Sequence, residues 1–349
     1  MRFETYVHMK MHPIAEDYGK ALAPALSRFD APSPYAAPDR VWAERAARLD
    51  ARELRLAVDR AAVAEAVVQY NRKHNDVPEA MRAAEGLRDP AALVVAGGQQ
   101  AGLFTGPMLV VYKAMTILRT AKQASRALGR PVVPVFWIAG EDHDWDEANH
   151  TFVVTPQLET RKIAIPHPAT DGRTAVSRTT VPPEAWASAI EALADGLMDT
   201  EFKPGVLDAL RGIADASPTL SDAFAKTMSL LFGKHGLVLI DGDDPGLRAV
   251  EAPMFQALIA RRDELSAALK AGEREVAALG YPLQAESADD GFNLFLFEGG
   301  ERKLLFRDGE DAVDRKGTIR MPAEELLRRA GEEPSAFSNN ALTRPLMQE

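Results

Sequence analysis

The sequence contains no cysteine among its 349 residues. A chain without cysteine has no disulfide, no thiolate nucleophile and no zinc–thiolate site, so any thiol in its chemistry belongs to a substrate. The sequence also lacks an apolar run long enough to span a membrane, and its first residues, MRFETYVHMK, lack the apolar core of a signal peptide. We therefore expect a cytoplasmic protein with no membrane partner.

An excess of positive charge is missing as well. The chain has 41 lysine and arginine residues against 51 aspartate and glutamate residues, which gives a formal net charge of −10. Binding to a nucleic-acid backbone needs a basic surface, so no nucleic-acid partner is expected. Hydrophobic residues make up 46% of the chain, as in soluble globular proteins, and the length favours two or three modules over one.

One stretch, Ala91–Asn149, has the pattern of a parallel α/β unit. The apolar run Leu93–Ala96 predicts a fully buried strand, and four glycines follow it within Gly97–Gly106. Pro107 suits the first position of a helix, and Val132–Ile138 predicts a second buried strand. In an open parallel sheet, ligands bind at the carboxyl ends of the strands, where the glycine-rich turn lies.

The turn and the helix after it each have two interpretations. The turn is either a ligand cradle, to which Gln99, Gln100 and Thr105 add polar groups, or a tight connection that needs glycine for its geometry alone. Lys113 is the one charged residue in an apolar helical run. Its ammonium group either reaches back towards the turn to meet an anion or extends to solvent.

The second strand leads into an acidic cluster, Glu141–Glu147, with five carboxylates and one histidine in seven residues. Such a cluster needs a metal ion, a substrate ammonium group or basic side chains to offset its repulsion, unless it is a solvated loop. His143 is a candidate general acid–base, held in one tautomer by a neighbouring carboxylate. We predict an organic ligand here and no metal site.

The rest of the chain predicts a return to the same core. Leu237–Ile240 is a further buried strand that ends in an aspartate-rich turn, and Arg248–Leu279 is predicted to be one long charged helix. Gly299 and Gly300 mark a hairpin between two short strands. Helices are expected between these parts and before Pro90.

Three segments, GGQQAGLFTGP, PVFWIAGEDHDWDE and FSNNALTRPLMQE, closely resemble the bacillithiol biosynthesis cysteine-adding enzyme (BshC) family. The resemblance implies an α/β fold: a Rossmann-like parallel-sheet core interrupted by a mainly helical connecting module and a small β-hairpin module. The expected divisions are residues 1–155 for the N-terminal helices and first core part, 156–218 for the connecting insertion, 219–282 for the return to the core with the long helix, 283–335 for the hairpin module, and 336–349 for the start of a truncated core segment.

The function that the resemblance implies is ligation of cysteine to glucosaminyl malate, with ATP as the suspected source of activation. The implied small-molecule partners are therefore cysteine and glucosaminyl malate. The implied catalytic residues are Asp142, His143 and Asp144. Those implied to bind substrate or nucleotide are Gly98, Gln99, Gln100, Gly102, Thr105, Gly106, Lys113, Glu141, Asp146, Asn149 and Arg344. Arg344 is either a partner for a malate carboxylate or an ordinary surface arginine.

Two other functions stay open at this point. One is a different adenylate-forming amide ligase on the same core, of the pantothenate synthetase type. The other is an inactive fragment or interaction module, because the family continues into more of its core and a C-terminal coiled coil that are absent from a chain ending at Glu349. A family-type homodimer is not expected without that coiled coil.

Overall fold

A computed structural model describes residues 11–29, 37–51, 59–168, 174–344 and 346. Its helices are α1 (Pro13–Gly19), α2 (Ala23–Leu26), α3 (Pro38–Asp50), α4 (Arg60–His74), α5 (Pro78–Glu85), α6 (Met108–Leu128), α7 (Trp145–Ala148), α8 (Pro183–Gly196), α9 (Lys203–Asp215), α10 (Leu220–Phe232), α11 (Pro245–Ala260), α12 (Arg262–Ala278) and α13 (Ala323–Glu332). Its strands are β1 (Leu93–Gln99), β2 (Val132–Ile138), β3 (His150–Val154), β4 (Thr160–Ala164), β5 (Val238–Asp241), β6 (Gly291–Glu298), β7 (Glu301–Asp308), β8 (Asp311–Asp314), β9 (Arg320–Pro322) and β10 (Phe337–Asn339).

The chain divides into two packing units. One comprises residues 1–54 and 261–291, and within it α12 has no buried residue among those described. The other comprises residues 55–260 and 292–349 and carries the sheets described below. The single helix predicted over Arg248–Leu279 is wrong, because α11 ends at Ala260 and Arg261 leaves helical geometry with φ −105° and ψ 23°. The local pattern misses this break because both halves are rich in helix-forming residues.

The centre of the larger unit is a parallel sheet in the order β1-β2-β5. The register pairs Gly98 with Trp137, and Trp137 with Ile240, so the three carboxyl ends lie side by side. Helix α6 packs on β1 and β2, and α4 packs on β5. The prediction of an α/β fold with a parallel sheet is thereby confirmed. β5 is buried throughout, but β1 is an edge strand and its Val94 is 46% exposed, so the prediction of a fully buried first strand is wrong.

The connection between β1 and α6 is tighter than the sequence suggests. Gly97, Gly98 and Gln99 still belong to β1, and a single 3-10 turn over Leu103–Thr105 follows. Phe104 and Thr105 have φ of 51° and 75°, in the region that non-glycine residues rarely adopt. Pro107 is the residue before the helix and not its first residue, so α6 begins one position later than predicted.

Between β2 and β5 the chain forms the antiparallel pair β3-β4, with α8 packed on it, and then α9 and α10. After α12 comes an antiparallel sheet in the order β10-β6-β7-β8-β9. Gly299 and Gly300, with φ of 61° and 81°, form the tight turn between β6 and β7 that the sequence predicts. The last strand, β10, pairs with β6, so residues 337–339 belong to this sheet and not to the parallel one.

Candidate functional site

The glycine-rich turn and the acidic cluster meet because β1 and β2 are neighbours. Gln99 is in register with Ile138, and the next residues along the two strands leave the sheet at the same edge. Gln100 Nε2 donates a hydrogen bond of 2.8 Å to Asp142 Oδ2, which joins the two sequence motifs. A Cβ on Gly98 would lie 2.5 Å from the Trp137 carbonyl oxygen, so only glycine allows the strands this approach.

Lys113 reaches back over the turn from the second turn of α6. Its Nζ donates to the Gly98 carbonyl oxygen at 2.8 Å and to Gln99 Oε1 at 2.7 Å. The interpretation as a lysine extending only to solvent is therefore wrong. An ammonium group has three N–H donors, and two of them have acceptors among the described residues, which leaves one for a ligand.

Asp142 has three groups around its carboxylate that favour the ionised form. Burial on its own raises the pKa of Asp142, but the Gln100 hydrogen bond, the Arg302 charge and the His143 backbone N–H outweigh it, so the pKa is below the usual value. His143 N donates to Asp142 Oδ1 at 2.7 Å, and His143 Nδ1 lies 3.4 Å from the same oxygen. The carboxylate is thus in a position to orient the imidazole ring.

Arg302, on β7, is the member of this cluster that the sequence does not identify. Its Nη1 lies 3.5 Å from Asp142 Oδ1 and 3.4 Å from His143 Nδ1. The rest of the guanidinium group donates to Ser338 Oγ and to the Asn339 carbonyl oxygen, both at 2.9 Å. Burial lowers the pKa of Arg302 to about 10, so the side chain remains charged at neutral pH. No local motif marks this residue, because its acidic partner is 160 positions away in the sequence.

We call Gln99, Gln100, Lys113, Asp142, His143 and Arg302 the β1–β2 site. Glu141 is next to it but points into the protein, with no exposed surface. Arg344 Nη2 lies 3.3 Å from Glu141 Oε1, so the structure pairs Arg344 with a protein carboxylate. Its proposed contact with a malate carboxylate stays a prediction.

The other predicted site residues are in different surroundings. Gly102 lines a small apolar space with residues of α10, and Thr105 is buried, so this half of the turn packs against the core. Asp144 caps α7 by accepting from Glu147 N at 3.1 Å, and Asp146 is exposed. Asn149 is buried, and its Oδ1 lies 3.1 Å from His150 Nδ1. Gly106 follows Thr105 and has a φ of 69°. The structure does not gather these residues into the β1–β2 site, and roles for them stay predictions.

A separate cleft of about 280 Å³ opens at the carboxyl end of β5. We call it the β5 cleft. The residues that line it are Tyr70, Lys73 and His74 of α4, Ser177, Arg178, Thr219, Ser221, Asp222, Asp241, Asp243, Asp244, Pro245 and Ser335. Arg178 Nε and Nη2 bind the two oxygens of Asp243 at 2.6 and 2.7 Å, and Ser177 Oγ donates to the same carboxylate. The aspartates that follow β5, which the sequence indicates as a turn, therefore also line a cleft.

His74 makes the stability of the protein depend on pH. Burial lowers the pKa of His74 from 6.5 to about 4, although Asp222 partly opposes the change. Between pH 6.5 and pH 4 the imidazole of His74 is protonated in the unfolded chain but not in the folded chain. The contribution of His74 to the free energy of unfolding is therefore complete above pH 6.5 and decreases as the pH falls towards 4. At pH 4.5 we expect the free energy of unfolding to be lower by about 2–3 kcal/mol because of this residue. Urea unfolding at pH 7 and at pH 4.5 measures the difference.

A matched pair of variants isolates that contribution. His74→Gln should remove this part of the pH dependence, whereas His235→Gln, at an exposed histidine, should keep it. An identical pH profile for His74→Gln and the wild type would contradict the assignment.

The described residues were also compared with the requirements of a metal site and of a membrane-spanning helix. No set of three or more histidine, aspartate or glutamate side chains among them is arranged to hold a metal ion. None of the helices that the structure describes is both long and apolar enough to cross a membrane.

Comparison with known proteins links the whole chain to one family. The family model "Bacillithiol biosynthesis BshC, N-terminal Rossmann-like domain" matches residues 1–349. A "Putative cysteine ligase BshC" from Geobacillus kaustophilus (strain HTA426) is 38% identical over 341 residues, which are 96% of this chain and 61% of that protein. The protein with the same name from Symbiobacterium thermophilum is 37% identical over 303 residues, covering 83% of this chain and 54% of its own length.

The protein of that name from Bacillus licheniformis is 33% identical over 347 residues, which are 97% of this chain and 61% of the relative. The matched region thus spans 54–61% of the length of these three relatives.

Proposed function

Because this chain belongs to the bacillithiol biosynthesis BshC family, as its N-terminal Rossmann-like domain, we propose that it takes part in joining cysteine to glucosaminyl malate. The bond formed is an amide between the cysteine carboxyl group and the amine of the amino sugar. The observation that carries the proposal is the hydrogen-bonded contact of Gln100, Asp142, His143 and Arg302 at the carboxyl ends of β1 and β2.

This cluster contains the groups that amide formation requires. The attacking amine must lose a proton, and a histidine at this position is a suitable base. Asp142, ionised and 3.4 Å from His143 Nδ1, orients the ring and stabilises its protonated form. Arg302 sets the position of both residues and balances the charge of the carboxylate.

ATP is the suspected source of activation, because a free carboxylate does not form an amide spontaneously in water. Bound ATP would supply the energy by turning a carboxylate oxygen into a good leaving group. On this chain the residues that would hold an anionic group of ATP are at the end of β1. Lys113 Nζ, which donates to the Gly98 carbonyl oxygen and to Gln99 Oε1, would offer its third N–H donor to that group. Gln99 is held in the same place by its 2.7 Å contact with Lys113.

A reconstituted assay tests the proposal. Purified chain is incubated with cysteine, glucosaminyl malate and ATP, and the ligated thiol is detected by mass spectrometry. We expect product only when all three compounds are present, together with AMP or ADP that identifies how the carboxylate is activated. Product formation without ATP would contradict the activation step. If a folded, monodisperse chain yields no product, catalysis by this chain on its own is refuted.

A further inference from the structure

Buried charges lie next to the β1–β2 site, on the inner side of Asp142. Glu141, the residue before Asp142, is completely buried, and Arg344 Nη2 lies 3.3 Å from its Oε1. Arg248, near the start of α11, is also completely buried, and its Nη1 donates to Glu251 Oε2 at 2.8 Å. We call Glu141, Arg248 and Arg344 the inner charge layer.

Glu141 is the carboxylate that the arginines of this region share. Burial lowers the pKa of Arg302 to about 10, and of the two carboxylates that oppose this fall, Glu141 has the larger effect and Asp142 the smaller. The charges of Arg344 and Arg248 add to the fall, so the three guanidinium groups are within electrostatic range of one another. Loss of the Glu141 charge would leave these like charges with one counter-charge fewer.

The turn after β5 leaves room for the Glu141 carboxylate. A Cβ on Gly242 would overlap with Glu141 Oε2 and would lie 2.9 Å from Trp137 Cζ2. Gly242 N donates to the Ile138 carbonyl oxygen at 2.9 Å, which fixes the turn on the end of β2. Glycine at this position is therefore required to keep the carboxylate where it is.

Stability alone does not account for the inner charge layer. Neither oxygen of Glu141 accepts a hydrogen bond among the described residues, and neither Nε nor Nη2 of Arg248 donates one there. Replacing buried charges by apolar side chains of similar volume is often neutral or stabilising. The proximity of the layer to Arg302 points instead to a role in the β1–β2 site.

We propose that Glu141 is a positioning residue: from inside the protein it balances the charge of Arg302, so that Arg302 contacts Asp142 without drawing it out of place. The inference rests on the proposed function, in which Asp142 orients His143. Without the Glu141 charge, the attraction of Arg302 for Asp142 is less opposed, and the carboxylate moves away from the imidazole ring. Glu141 acts through Arg302 and does not touch substrate or nucleotide, in contrast to the role that the sequence resemblance implies.

Steady-state kinetics of the ligation separate this role from substrate binding. Glu141→Gln keeps the size of the side chain and removes its charge, so kcat should fall by at least about tenfold while each KM changes by no more than about twofold. A residue that binds substrate would instead raise KM at constant kcat. Glu141→Asp, which keeps the charge on a shorter side chain, should recover part of the loss in kcat.

Glu251→Gln is the matched control, because it is the same substitution at another buried glutamate of this region. Glu251 pairs with Arg248, and no hydrogen bond or ion pair joins it to Arg302 among the described residues. Burial raises the pKa of Glu251 to about 7, so glutamine resembles its protonated form. The control should change kcat by no more than about twofold. Urea unfolding at pH 7 verifies that both variants are folded.

Gly242→Ala tests the position of the carboxylate while its charge is intact. The added methyl group would take the space of Glu141 Oε2 and push the carboxylate aside, so kcat should again fall by at least about tenfold. Gly212→Ala, in α9, places its methyl group where no atom lies within 4 Å and should leave kcat unchanged. This pair keeps the proposal testable if Glu141→Gln does not fold.

Proton titration of His143, followed by NMR and assigned with His143→Gln, tests the proposal without turnover. Removing the Glu141 charge leaves the Arg302 charge less opposed beside the imidazole ring. The midpoint of the His143 titration should therefore move to lower pH by at least about half a pH unit in Glu141→Gln. Glu251→Gln should leave the midpoint in place.

Three results would overturn the proposal: an unchanged His143 midpoint in Glu141→Gln, an equal change in Glu141→Gln and Glu251→Gln, or a raised KM at constant kcat. If the wild type yields no product but the midpoint moves as expected, the proposed function fails and the positioning role stands. If Glu141→Gln and Gly242→Ala both form product at the wild-type rate, the positioning role fails and the proposed function stands.

Discussion

Replacing Asp142 by asparagine is expected to slow formation of the ligated thiol by roughly 10²- to 10⁴-fold, the range associated with loss of general acid–base catalysis. Asparagine keeps the shape of the side chain and one acceptor for Gln100 Nε2. It removes the charge that faces Arg302 and the group that orients His143. The rate of product formation at saturating substrates, followed by mass spectrometry, measures the effect.

His143→Gln should lower the rate to a similar extent, because glutamine cannot take up the proton of the amine. The two losses should not add in the double variant, since both residues serve one step. Glu147→Gln is the matched control: this residue belongs to the same acidic cluster, is exposed, and has no hydrogen bond to a member of the β1–β2 site among the described residues. Equal rates for Asp142→Asn and Glu147→Gln would show that Asp142 has no role in the chemistry.

Replacing Arg302 by methionine is expected to lower the free energy of unfolding by about 3–5 kcal/mol, because it breaks a buried charge pair and leaves its partners without donors. The Arg302 side chain is 3% exposed, and its loss would deprive Asp142, Ser338 and the Asn339 carbonyl oxygen of contacts at once. The stacking of its guanidinium group on Phe295, at 3.9 Å, would also disappear. Urea unfolding at pH 7 measures the difference.

Arg320 provides the comparison within the same sheet. Like Arg302 it pairs with acidic side chains, in this case Asp308 and Asp311, but its own side chain is 57% exposed. Exposed ion pairs contribute little, so Arg320→Met should lower the free energy of unfolding far less than Arg302→Met. Arg302→Lys should fall between these two variants, because lysine keeps the charge and loses the planar fork. If Arg302→Met and Arg320→Met have equal stability, the buried pair is not a stabilising contact.

The β1–β2 site shows how far local patterns lead. Strand boundaries, the glycine turn and the acidic cluster are encoded in contiguous residues, and parallel strands necessarily bring their carboxyl ends together. Hence the approach of Gln100 to Asp142, although 42 positions separate them, follows from the fold class that the sequence predicts. For Lys113 the sequence leaves two positions open, and the structure selects the one in which the side chain leans towards the start of the helix.

The sequence by itself determined the parallel α/β core, the hairpin at Gly299 and Gly300, and the family, because each depends on short-range periodicity, turn geometry or contiguous motifs. Tertiary structure alone decided that Arg302 joins Asp142 and that the β5 cleft collects side chains from α4, from the turn after β5 and from residues 177–178. It also decided that β1 lies at a sheet edge and that helical geometry is interrupted at Arg261, between α11 and α12. The physical reason is that burial and charge pairing depend on which distant segments pack together, and local sequence patterns contain no information about that packing.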